Sequence, residues 1–121
     1  MSRILVVEDN ELNRRLFLDL LGTRGHELLE ATDGASALKL VQEQQPDLVL
    51  MDIQLPTISG LEVTQQIRKM ENIRQPRIVA VSAFALKQDA DKALNAGCDD
   101  YISKPIAIAS FFATIEKNLQ P

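Results

Sequence analysis

The sequence predicts an α/β domain in which a parallel β-sheet is covered by helices on both faces. Three observations predict it. Apolar runs of strand length recur at Ile4-Leu5-Val6-Val7, Leu48-Val49-Leu50-Met51 and Ile78-Val79-Ala80-Val81, and a continuous run of that kind reads as a strand buried on both faces. Stretches with apolar residues at helical spacing lie between them. Strand and helix alternate along the whole chain, which implies crossover connections and therefore parallel strands.

Each element has its own justification. Ile4–Val7 is the first strand and runs into Glu8-Asp9-Asn10. Leu12, Leu16, Phe17, Leu20 and Leu21 then form the stripe of an amphipathic helix, with Asn10 or its neighbour as the cap and Gly25 as the stop. Residues 26–31 make a weaker strand carrying Glu27 and Glu30, and charges on a strand suit a sheet edge. Asp33-Gly34 is a turn or an N-cap, and Ala37, Leu38 and Val41 mark a helix closed before Pro46. Leu48–Met51 is the third strand and meets Asp52.

Ser59 with Glu62 three residues on is a capping box, so a third helix starts there with Leu61, Thr64 and Ile67 facing inward. Ile78–Val81 is the fourth strand and ends at Ser82-Ala83. Leu86, Ala90, Ala93 and Leu94 give a fourth helix, stopped by Gly97. Tyr101-Ile102-Ser103 is a short fifth strand ending at Lys104-Pro105, and the last helix carries Ile108, Phe111, Phe112, Ile115 and Leu119. The first, third and fourth strands are wholly apolar and belong in the centre; the second and fifth belong at the edges. The order 2-1-3-4-5 follows as the simplest arrangement, a flavodoxin-like doubly wound (βα)5 fold.

The chain of 121 residues, 45% hydrophobic and 25% charged, has the size and core of one domain. No linker or composition shift divides it, so residues 1–121 are expected to be a single unit. A net charge of −4 without a basic stripe argues against nucleic acid as a direct partner. Cys98 is the sole cysteine, so no internal disulfide forms. No apolar run reaches the length of a membrane span. Met1-Ser2-Arg3 leads straight into a strand, which leaves no room for a signal peptide. No membrane association and a cytoplasmic location are expected.

In open α/β sheets ligands bind outside the carboxyl ends of the strands. There the chain places Glu8 and Asp9 after the first strand, Asp52 after the third, Ser82 after the fourth and Lys104 after the fifth. Taken singly, these are turn, cap and surface residues; four strand ends together point to a site. Three converging carboxylates repel unless a cation joins them. Oxygen donors without His or Cys nearby select Mg²⁺, and His26 and Cys98 lie elsewhere in the sequence. A divalent ion and an ammonium attract a phosphoryl group, for which Asp52 is the nucleophile. Ser82 then hydrogen-bonds a phosphoryl oxygen.

Val7-Glu8-Asp9-Asn10, Met51-Asp52, Ser82-Ala83 and Ser103-Lys104-Pro105 together resemble the motifs of the response-regulator receiver domain, in order and over the whole chain. Met51-Asp52-Ile53-Gln54-Leu55-Pro56, Ser59-Gly60-Leu61-Glu62-Val63 and Ala83-Phe84-Ala85 resemble the single-domain cell-division regulators of the DivK type. The resemblance implies that Glu8, Asp9, Asp52 and the backbone carbonyl of Gln54 hold Mg²⁺. It implies that Asp52 is the phosphoacceptor, fed by a sensor histidine kinase or a histidine phosphotransfer protein. Ser82 and Tyr101 become switch residues, Lys104 the phosphate contact and Lys104-Pro105 a cis peptide. Asn10 stands where some members carry a third acid. Gln54 and Phe84, two residues beyond Asp52 and Ser82, flank the path of the hydrolytic water, and a bulky Phe84 is expected to shield it.

With no output domain, the signal is expected to leave through a downstream protein effector. The only catalysis expected is the chain's own Mg²⁺-dependent phosphorylation and dephosphorylation. Two alternatives stand beside this reading: a phosphorylation-independent receiver scaffold, and a receiver cut from a hybrid kinase. A phosphohydrolase needs a second acid where Gln54 stands. A flavodoxin-like cofactor binder needs a phosphate-cradling loop where Glu8-Asp9-Asn10 stands.

Overall fold

The structure is a computed structural model and describes residues 2–83 and 87–120. Ten elements alternate along it: β1 (Arg3–Val7), α1 (Glu11–Gly22), β2 (Glu27–Ala31), α2 (Gly34–Gln44), β3 (Leu48–Asp52), α3 (Gly60–Arg68), β4 (Arg77–Ser82), α4 (Lys87–Ala96), β5 (Asp100–Ser103) and α5 (Ile108–Leu119). The five strands form one parallel sheet in the order β2-β1-β3-β4-β5, the order expected. The edges are the two polar strands, since an edge strand has one unpaired side that tolerates charge.

Because successive strand side chains alternate between faces, the central strands feed two cores. Leu5, Val7, Val49, Met51, Ile78 and Ala80 pack on one face, against Val41 of α2, Val63 and Ile67 of α3 and Ala93 of α4. Ile4, Val6, Leu48, Leu50, Val79 and Val81 pack on the other, against α1 and α5. There Phe17 and Phe111 stack with ring centroids 5.9 Å apart. Phe112 meets Phe111 edge-on, and the Arg24 guanidinium lies 4.2 Å over the Phe112 ring, so α1 and α5 are joined along their length. Full burial of such side chains contributes roughly 1.5–3 kcal/mol each.

The caps form as the sequence implied. The side chains of Asn10, Asp33 and Ser59 accept the N–H groups of Asn13, Ser36 and Glu62. Gly25, at φ +76°, turns the chain three residues after α1 ends. Gly97 follows α4 at φ +115°, and a Cβ there would sit 2.8 Å from the Arg68 Cγ.

Three helix faces differ from expectation. Leu12 and Leu16 of the presumed α1 stripe are 80% and 44% exposed, and Phe17 and Leu21 carry the burial. Leu94 is half exposed, and α4 packs inward through Ala93 and Ala96 instead; Leu86 lies outside the described residues. In α3 the buried set is Val63, Thr64 and Ile67, with Leu61 only half-buried. In α3 and α4 the residues that approach the sheet are small or β-branched, whereas α1 turns Phe17 and Leu21 toward it.

Candidate functional site

β1 and β3 are neighbours in register, with Val7 opposite Met51. The residues that follow, Glu8 and Asp52, therefore meet at the same carboxyl edge. Glu8 and Asp52 are almost wholly buried, at 1% and 3% exposure, whereas Asp9 is exposed. One carboxylate oxygen from each of the three lies within 4.8 Å of the others.

Lys104 reaches this cluster from beyond β5. Its Nζ donates to Glu8 Oε1 at 3.1 Å and lies 3.6 Å from Asp52 Oδ2. The Gln54 N–H donates to Asp52 Oδ1 at 2.9 Å, and the Asn10 N–H to Glu8 Oε2 at 3.2 Å. Burial pushes the Glu8 carboxyl above its usual range. The Asp52 carboxyl beside it pushes the same way, and Lys104 and the Asn10 N–H oppose. The net upward direction is set first by the cost of burying the charged carboxyl and second by its Asp52 neighbour.

The β3–α3 connection is tightly held behind Asp52. The Ile53 N–H donates to Val81 O at 3.0 Å and the Gly60 N–H to Ile53 O at 2.8 Å. A Cβ at Gly60 would run into the Asp52 carbonyl, so only glycine lets α3 start this close to the strand.

β3 and β4 pair with Asp52 opposite Val81, which places Ser82 one step further along the same rim. Ser82 is buried, and its carbonyl accepts the Lys104 N–H at 2.8 Å. The Lys104–Pro105 peptide is cis. Tyr101 lies half-buried on β5, opposite Ala80 and three residues before Lys104, outside the acid cluster. Phe84 lies outside the described residues.

One contact escaped the sequence reading: the exposed Gln54 side chain accepts the Ala83 N–H through Oε1 at 3.3 Å. No sequence signal announces it, because a loop glutamine has many partners within reach.

A divalent ion fits the cluster. The donors are carboxylate oxygens from Glu8, Asp9 and Asp52 within 4.8 Å of one another, the hard-oxygen set such an ion takes. His26 and Cys98 lie at the other end of the sheet, His26 just before β2 and Cys98 buried against Thr64. A groove of about 520 Å³ opens beside Lys104 and Pro105, floored by Leu16, Phe17 and Ile106.

A five-stranded parallel α/β domain with three acids and a lysine gathered at one strand edge is the architecture of a signalling receiver. The chain belongs to the response regulator receiver domain family, whose model matches residues 4–116. It is similar to the polar-differentiation response regulator DivK of Brucella ovis, with 47% identity over 116 residues that span 96% of this chain and 94% of that protein. A two-component response regulator of the LuxR family from Aurantimonas superposes with a TM-score of 0.91 at 32% identity, over 98% of this chain and 85% of that one. The receiver domain of a sensor histidine kinase from Pseudomonas aeruginosa, solved with a magnesium ion coordinated in its active-site cleft, superposes at 0.88 with 34% identity. It is matched over 98% of this chain and 97% of that one. The protein is thus a DivK-like receiver of a two-component system, and no helix among the described residues is long and apolar enough to cross a membrane.

Proposed function

We propose that this protein accepts a phosphoryl group on Asp52 from the phosphohistidine of a sensor histidine kinase or histidine phosphotransfer protein, and that the modified form signals by binding a protein effector. The observation that carries this reading is the buried Asp52 carboxylate beside Glu8, Asp9 and Lys104. In the reaction an Asp52 oxygen attacks phosphorus; the O–P bond forms as the P–N bond breaks, and the electron pair leaves on the imidazole nitrogen. Phosphoryl transfer depends mostly on positioning and charge neutralisation. The Gln54 N–H fixes one Asp52 oxygen and orients the other. Lys104 supplies positive charge at the attacking side. Mg²⁺, when held by Glu8, Asp9, Asp52 and the backbone carbonyl of Gln54, supplies the further charge that neutralises the phosphoryl oxygens.

Phosphorylation adds nearly two negative charges and three acceptor oxygens at the rim. Ser82 donates its hydroxyl to them, and Tyr101 moves toward the space that Ser82 vacates, so a modification on β3 is read out at β5. The exposed Leu16 lining the Lys104 groove supports docking of the phosphodonor there. Residues 1–121 act as one receiver unit.

Acetyl phosphate with and without Mg²⁺, followed by intact mass, tests the reading. A gain of one phosphate that needs Mg²⁺ and vanishes in Asp52→Asn is expected. A wild type that gains no mass, or an Asp52→Asn variant that gains it, overturns the assignment.

A further inference from the structure

We infer that the Gln54 side chain is a latch on this reaction: it occupies the Ala83 backbone N–H in the unphosphorylated protein, and an incoming phosphoryl group must displace it to gain that donor. The inference rests on Asp52 being the phosphoacceptor.

Gln54 spans the mouth of the site. Its backbone N–H holds Asp52 Oδ1 at 2.9 Å, while its side-chain Oε1 accepts the Ala83 N–H at 3.3 Å. The backbone just before it is fixed, the Ile53 N–H donating to Val81 O and the Ile53 carbonyl accepting the Gly60 N–H. The exposed side chain is therefore the part free to swing away. Ala83 follows Ser82, the last residue of the strand paired to β3, so it stands at the same carboxyl rim as Asp52.

The three phosphoryl oxygens need donors. Lys104, which donates to Glu8 in the unmodified protein, and the Ser82 hydroxyl are two; the Ala83 N–H, held by Gln54, is a third. A bond from this N–H to a charged phosphoryl oxygen is stronger than one to a neutral amide, and 3.3 Å is long for an N–H···O bond. The exchange therefore favours the phosphorylated state, but the latch has to open first. Until then it ties Ala83 to the β3 side.

The test uses the full chain with Gln54→Met, which keeps the length and removes the acceptor, and Gln54→Asn, which keeps the amide but is too short to reach. The first readout needs no phosphate: in ¹⁵N-labelled protein the Ala83 amide is expected to exchange faster and shift in both variants, with the rest of the sheet unchanged. The second is the rate of Mg²⁺-dependent mass gain from acetyl phosphate, which is expected to rise roughly two- to tenfold in both, the worth of one hydrogen bond. An Ala83 amide unaltered in the variants overturns the latch, and so does a phosphorylation rate that stays level or falls. A wild type that gains no phosphate overturns the reading of Asp52 and the competition with it, whereas a wild type that is phosphorylated at the variants' rate overturns the latch alone.

Discussion

The two ends of the sheet both carry charged clusters and treat them in opposite ways. At the amino end each acid meets cations or amides. Asp47 accepts the Arg3 N–H at 2.7 Å and Arg74 at 2.9 Å. Asp99 accepts Arg68 at 2.9 Å and the Ile78 N–H at 2.8 Å. Asp100 takes Asn118 at 3.0 Å. Arg68 also donates to the carbonyls of Gly97 and Pro76, so a single side chain joins the end of α3, the stop of α4 and the entry to β4. At the carboxyl end, among the described residues, Glu8 and Asp52 are buried with Lys104 as the shared cation. Charge that is satisfied holds the fold together. Two carboxylates buried together with one shared cation hold it less well, and the comparison predicts that mutations at the two ends differ in sign.

The largest effect is expected at the satisfied end. Arg68→Met and Asp99→Asn should each lower the unfolding free energy by about 2–3 kcal/mol, because each leaves part-buried polar partners unpaired. The two should not add, since they belong to one network. Urea denaturation measures both, and losses below about 0.5 kcal/mol would erase the contrast between the ends.

At the other end the sign reverses. Asp52→Asn, measured without Mg²⁺, should raise stability by about 1 kcal/mol, since it removes one of two adjoining buried carboxylates. A destabilised variant would mean that Lys104 already balances the cluster.

The pH profile sharpens the same point. The folded-state pKa of Glu8 lies above its unfolded value of 4.5, so between these limits the folded state binds more protons. Its contribution is fully present below 4.5 and is lost as pH rises through the folded value. Denaturation midpoints taken across this window should show that fall in wild type and a flatter profile in Glu8→Gln. Mg²⁺ should stabilise the protein at neutral pH and do little at pH 4.5, where protons compete for the donors.

The smallest effect is expected for a pair belonging to neither end. Arg24 and Glu116 lie 3.6 Å apart with half their side-chain surface exposed. Glu116→Gln should change stability by less than about 0.5 kcal/mol, because the Arg24 contact with the Phe112 ring remains.

The strands and the rim were legible in the sequence because their signals are local. An apolar run that ends in a carboxylate states both burial and its limit, and this was enough to bring Glu8, Asp9, Asp52 and Lys104 to one edge. Helix rotation was less legible. Leu12, Leu16 and Leu94 looked inward by type and spacing, yet the sheet takes Phe17, Leu21 and Ala93 because packing distance decides which face fits. Arg68 and Asn118 carry no local signal: the Arg68 bonds to Gly97 and Asp99 and the Asn118 bond to Arg77 cross 29–41 positions, which no periodicity encodes. The Gln54 side-chain bond to Ala83 was not legible, for the same reason.

Tyr101 has an optical consequence. The chain has no tryptophan and one tyrosine, so its intrinsic tyrosine emission arises at a single half-buried ring on β5, opposite Ala80. Any change in intensity or polarisation on adding a phosphodonor would be assignable to that ring without a label. The residue proposed to complete the switch is thus also its built-in fluorophore.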